Sequence, residues 1–147
     1  MTTIYIDADA CPVKQEVYRV AERFGLKVIL VANKRMFVPD ADWISFELVD
    51  GKFDAADDWI ADHVIANDVV VTSDIPLAGR CLKKDAAVIA PGRKIYTKAN
   101  IGEAMASREL MSRLRDSGDI SGGPAPFEKS DRSWFLHQLD QILRGMN

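Results

Sequence analysis

The chain has 147 residues, 48% hydrophobic and 28% charged, with a formal net charge of −3, the length and composition of one compact globular domain with a proper core. No apolar run approaches the roughly 18 residues of a membrane span. The opening "MTTIYID" also lacks the basic, apolar and small-residue layout of a secretion signal, so a cytoplasmic protein is expected. In chain order, "TIYID" reads as a buried strand. "PVKQEVYRVAERFG" reads as a helix with Pro12 in its first turn, Val13, Val17, Val20, Ala21 and Phe24 on one face, and Gly25 as its stop. "LKVILVA" is a second buried strand and "DWISFELV" a third. "DAADDWIADHVIA" is a helix whose apolar stripe takes Ala56, Ile60, Val64 and His63.

"DVVVTSD" is the clearest strand, a β-branched run closed by a polar tip; "IPLAGRCLKK" opens a helix at Pro76, and "AAVIA" is a last short strand before "PGRK". This alternation predicts an α/β fold of three layers, α/β/α, with a mainly parallel sheet. Beyond it, "NIGEAMASRELMSRLRDSG" predicts a helix between an Asn100 N-cap and a Gly118 stop, and "DISGGPAPFEKS" a loop. "DRSWFLHQLDQILRG" predicts a closing amphipathic helix that packs on the same domain, so that residues 1–147 form one unit with two C-terminal helices.

In an open α/β sheet, ligands bind beyond the carboxyl ends of the parallel strands. Asp7 and Asp9 lie at one such end, spaced i, i+2 so that both side chains project to the same side of an extended chain. Asp74 closes "VVVTSD" at another. In "FDAADD", Asp54, Asp57 and Asp58 fall in the first turns of a helix, where the macrodipole favours carboxylates without any catalytic purpose. Asp57 borders the buried stripe, whereas Asp58 points toward solvent. Asp7, Asp9, Asp57 and Asp74 are thus the expected metal ligands and catalytic residues, with Asn33, Asp54, Asp58, Thr72 and Ser73 in support. A set of carboxylates without histidine or thiolate selects Mg²⁺ or Mn²⁺ over zinc and suits phosphodiester hydrolysis.

Charge is unevenly distributed. Residues 1–78 carry 7 basic and 14 acidic side chains, residues 79–115 carry 9 and 3, and the remainder 3 and 5. An acidic site therefore adjoins a basic block in which Arg80, Lys84, Arg93, Lys94 and Lys98, with Lys83, are expected to hold the backbone of RNA or another nucleic acid. Cys11 and Cys81 form neither a C-x-x-C pair nor a zinc spacing and read as reduced thiols. His63 and His137 are the only bases a Cys/His pair would have, and nothing local supports that pair.

The motifs "DADACP" (7–12), "VAN" (31–33), "FDAAD" (53–57), "TSDIPLA" (72–78), "YTKANI" (96–101), "GGP" (122–124) and "DR" (131–132) stand in the order of the YaiI/YqxD family of small bacterial proteins, which the chain resembles over nearly its whole length. Through that family it resembles the PIN-like nuclease superfamily. The resemblance implies a PIN-like fold, an acidic metal site on Asp7, Asp9, Asp57 and Asp74, and, as for many PIN-like nucleases, a regulatory protein partner. The chain departs from the family near residue 91, where the family pattern "NPRG" is replaced by "APGRK" with Gly92 and Arg93 in exchanged order. Two other functions fit the residues. One is a non-catalytic, metal-dependent nucleotide or RNA-binding module. The other is a haloacid-dehalogenase-like phosphatase with Asp7 as nucleophile and Asp9 as acid/base, although "VVVTSDIPLA" supplies one distal acid where that class needs a pair.

Overall fold

Strand β1 (Thr3–Asp7) forms where Ile4, Tyr5 and Ile6 follow one another, and all three are buried, as a strand covered on both faces requires. The structure, a computed structural model, describes residues 1–119 and 126–146, so the "GGP" motif lies outside the described residues. After β1 come α1 (Lys14–Phe24), β2 (Lys27–Ala32), β3 (Ile44–Leu48), α2 (Ala55–His63), β4 (Val69–Val71), α3 (Ile75–Leu82), β5 (Ala87–Ala90), β6 (Lys94–Tyr96), α4 (Ile101–Asp116) and α5 (Lys129–Gly145). Helix α1 stops because Gly25 takes a left-handed conformation, φ 67°, and returns its N–H to the carbonyls of Ala21 and Glu22.

The six strands form one sheet in the order β3-β2-β1-β4-β5-β6, parallel throughout except for β6, which runs antiparallel to β5. Alternate residues of the inner strands feed two cores. Ile4, Ile6, Val69 and Val71 pack against α1 and against Phe135, Leu139 and Leu143 of α5, while Tyr5, Val70 and Val88 pack against α2 and α3. The result is the expected three-layer arrangement, with the C-terminal helix completing one outer layer. Helix α4 leans on α3 through Ile101 and Ala104 and has no buried residue. Among the described residues, no helix is long and apolar enough to cross a membrane.

Four local details differ from the sequence expectation. Strand β6 was not foreseen: Ala90 pairs with Lys94 across the three-residue loop Pro91, Gly92 and Arg93, whose last position is left-handed, φ 64°, the turn geometry that lets a strand fold straight back. Helix α2 ends at His63, and His63 is exposed, its ring stacked on Trp59 with centroids 3.8 Å apart, so it does not join the apolar stripe. Asn100 occupies the N-cap of α4, but its Oδ1 accepts the Thr97 N–H at 2.8 Å instead of capping a helical N–H. Helix α5 starts two residues early because the Glu128 N–H donates to Asp131 Oδ2 at 2.8 Å and fixes the first turn.

Candidate active site

The two innermost strands end side by side. Ile6 of β1 pairs with Val71 of β4 in parallel, which places Asp7 and the Thr72–Asp74 segment on the same edge of the sheet. From β1 the chain passes to β2 on one side, and from β4 to β5 on the other. The strand order therefore reverses between β1 and β4, and loops that part in this way leave a crevice at the carboxyl edge. Here it is a cleft of about 290 Å³ whose walls bring together Asp7, Asp9, Asn33, Asp54, Asp57, Thr72, Ser73 and Asp74. Asp58 is not in it.

A short network fixes the acids. The buried Thr72 hydroxyl donates to Asp7 Oδ2 at 2.8 Å and accepts the Asp74 N–H at 3.0 Å. Asp74 Oδ1 in turn accepts the Leu77 N–H at 2.9 Å, so the same side chain that faces the cleft is the N-cap of α3, with Pro76 in the first turn. Across the cleft, both Asp9 oxygens accept the backbone N–H of Asn33, at 3.0 and 2.9 Å, which ties the loop after β1 to the end of β2. Asp54 opens α2 in a left-handed conformation, φ 69°, and Asp57 in the first turn lies over the cleft.

The electrostatics follow from this crowding. Burial pushes the Asp57 carboxyl up to about 7, assisted by the charges of Asp74 and Asp7, by a hydrogen bond to the Asp74 side chain, and by Asp54. Burial also raises Asp7, opposed by the Thr72 hydrogen bond and reinforced by Asp74 and Asp9. Two carboxyl groups in hydrogen-bond contact can share a proton but cannot both be charged without strain. The donor set, oxygen only, fits a hard divalent cation, and the carboxylates that raise Asp57 are the uncompensated negative charge that such a cation would neutralise. Among the described residues, however, no three acidic, imidazole or thiol groups already stand together as a cage, so seating a cation asks for side-chain rearrangement.

The expected phosphate-binding cations are dispersed. Arg80 pairs with Asp58 at 2.8 Å on the outer surface of α2 and α3, Arg93 with Asp131 at 2.7 Å, and Lys98 with Asp85, while Lys84 donates to the Ala61 carbonyl. Lys83 is exposed just past α3. Lys94 lies in a groove between β6 and α4. Cys11 lines the acidic cleft, but burial pushes its thiol up to about 11, which suits a packed thiol and not a nucleophile; neither histidine accompanies it there. Two residues of interest were not foreseen. Phe53, 94% exposed, stands on the cleft wall, and Arg108 of α4 shares the Lys94 groove. Phe53 sits inside the quoted "FDAAD", but no apolar period distinguishes it from a core residue.

Over residues 5–145 the chain matches one protein-family model, described as "Uncharacterized BCR, YaiI/YqxD family". It is similar to UPF0178 proteins of Brucella ovis, Brucella suis and Brucella melitensis, each 54% identical over 141 residues that make up 95% of this chain and 88% of the relative. No solved structure matches it.

Proposed function

This chain belongs to the YaiI/YqxD family, and we propose that it is a PIN-like, Mg²⁺- or Mn²⁺-dependent nuclease that hydrolyses RNA at the acidic cleft. The observation that carries this reading is the Asp57–Asp74 contact at the β1/β4 crevice, with Asp7 close enough to add to the charge that keeps Asp57 protonated near neutral pH. A structural surface has no need to concentrate carboxylates that raise one another, and such perturbed groups gather at functional sites.

Asp7, Asp9, Asp57 and Asp74 would hold the cation. Once bound, it would neutralise the phosphodiester, lower the pKa of a coordinated water and stabilise the leaving oxygen. Asp57, over the cleft beside Asp74, is the ligand placed to orient the attacking water. Thr72 orients Asp7, the Asn33 N–H holds Asp9 and the Leu77 N–H holds Asp74, so three of the four side chains are pre-set by hydrogen bonds. Phe53, exposed on the wall, offers an aromatic face for a base next to the scissile bond.

The test is calorimetric titration with Mg²⁺ and Mn²⁺ of the wild type and an Asp7→Asn/Asp74→Asn double variant, followed by gel assay of both on RNA. Metal binding and cleavage by the wild type, both lost in the variant, is the expected result. Metal and RNA binding without turnover replaces the nuclease by a binding module, and absence of metal binding with RNA present removes the proposal.

A further inference from the structure

Next to the acidic cleft lies a second depression of about 440 Å³, walled by β6 on one side and α4 on the other. It continues the first. Ile75, in its wall, directly follows Asp74, and Lys94 follows the hairpin that begins at Pro91, itself on the cleft wall. Along the carboxyl edge of the sheet, β6 stands two strands from β4, about 10 Å away at ordinary strand spacing.

The chemistry of the groove is the opposite of the cleft's. Lys94 and Arg108 face it, and among the described residues neither makes an ion pair or a side-chain hydrogen bond, whereas Arg80, Arg93 and Lys98 are all held by carboxylates. Glu103 is the single acid in the wall, so the groove carries net positive charge beside a strongly negative cleft. Ile75, Tyr96 and Met111 supply an apolar lining between the two cations. Paired cations flanking an apolar face are what a phosphodiester chain with unpaired bases needs, since the phosphates take the charges and a base takes the face. Helix α4 closes one side, and the volume is that of a small-ligand pocket, enough for a nucleotide but not for a duplex.

We propose that this groove is a subsite for single-stranded RNA, in which Lys94 and Arg108 bind backbone phosphates and Ile75, Tyr96 and Met111 receive a base, two strand-widths along the sheet edge from β4. The inference rests on the nucleic-acid reading of the acidic cleft. It adds that the substrate is single-stranded and that its path runs over β6 and not along the outer surface of α2 and α3.

The test is fluorescence anisotropy with a short labelled oligouridylate and, separately, a labelled RNA duplex. Each is measured with EDTA and then with Mg²⁺, on the wild type, a Lys94→Glu/Arg108→Glu variant, a milder Lys94→Gln/Arg108→Gln variant, and a Lys129→Glu control elsewhere on the surface; circular dichroism checks that each is folded. The expected result is tighter binding of the single strand than of the duplex. The charge-reversed variant should bind at least about tenfold more weakly, the neutral variant should fall between, and the control should be unchanged. The slope of log affinity against log salt should drop by about 1.4 for two lost phosphate contacts, and Mg²⁺ affinity by calorimetry should not change. Equal oligouridylate binding by wild type and charge-reversed variant overturns the groove while leaving the metal titration of the cleft to stand on its own. Loss of binding in that variant in a protein that never binds metal keeps the groove and removes the nuclease. No oligouridylate binding by the wild type, duplex bound as tightly as single strand, or a dimer that the groove variant dissociates, each overturns the proposal.

Discussion

Replacing Asp57 by asparagine should make the protein more stable at neutral pH, and the gain should depend on pH. In the native state the Asp57 carboxyl titrates at about 7, against an ordinary 3.8. Between those values the native protein binds a proton that the unfolded chain has released, so wild-type stability falls as pH rises through this window and levels off above it. The interval corresponds to a ceiling of about 4 kcal/mol at about 1.4 kcal/mol per pH unit. Asp57 is only half-buried and solvent screens part of the repulsion, which brings the expected loss to about 1–2 kcal/mol. Asparagine keeps the size and offers Asp74 an N–H in place of the shared proton, but has no charge to develop. Urea denaturation in EDTA from about pH 4 to about pH 8 should show the two proteins converging at the acidic end and separating by about 1–2 kcal/mol at the alkaline end, with unchanged m. A difference that stays flat across that range would refute the electrostatic account of the cleft, because a packing or helix-propensity effect has no reason to titrate at Asp57.

Thr72→Val removes a buried hydroxyl that serves Asp7 and the Asp74 N–H together; denaturation should report a loss of about 1–3 kcal/mol, and NMR titration of the Asp7 carboxyl should find it higher still. Exchanging Gly92 and Arg93 in a double variant puts glycine at the left-handed loop position, φ 64°, and arginine where an added side chain meets nothing within 4 Å. Composition, and with it unfolded-chain entropy, is unchanged. Relief of about 1–2 kcal/mol of strain, opposed by loss of the exposed Arg93–Asp131 pair, should raise stability, read as a higher urea midpoint; a lower midpoint would show that the pair outweighs the strain.

The elements that could be recognised from residues alone are those whose burial is periodic. β1 and β4 are apolar on both faces, and α1 shows a clean stripe with a glycine stop, so both reading frames and ends follow from local chemistry. β6 has no such mark: three residues long, opening on an exposed lysine, it exists because the Pro91–Arg93 loop folds it onto β5. The acids at the strand ends were visible for the same reason, since a buried run that stops at a carboxylate fixes where that carboxylate lies. The basic block was not legible in this way. Counting charges in residues 79–115 cannot show that Asp58 and Asp131, from outside that block, hold Arg80 and Arg93, that Asp85 within it holds Lys98, or that Arg108 is left facing the groove. His63 illustrates the limit of a stripe: its position is helical, but its ring lies outside on Trp59.

Helix α4 contains no buried residue and rests on α3 through Ile101 and Ala104, whereas the strands that carry the acids are buried on both faces. Amide hydrogen exchange in such a molecule is graded. The N–H groups of β1 and β4 should exchange only when the whole protein unfolds, and those of α4 through a local opening of much lower free energy. The α4 wall of the groove should therefore loosen well before the inner strands whose ends carry Asp7 and Asp74.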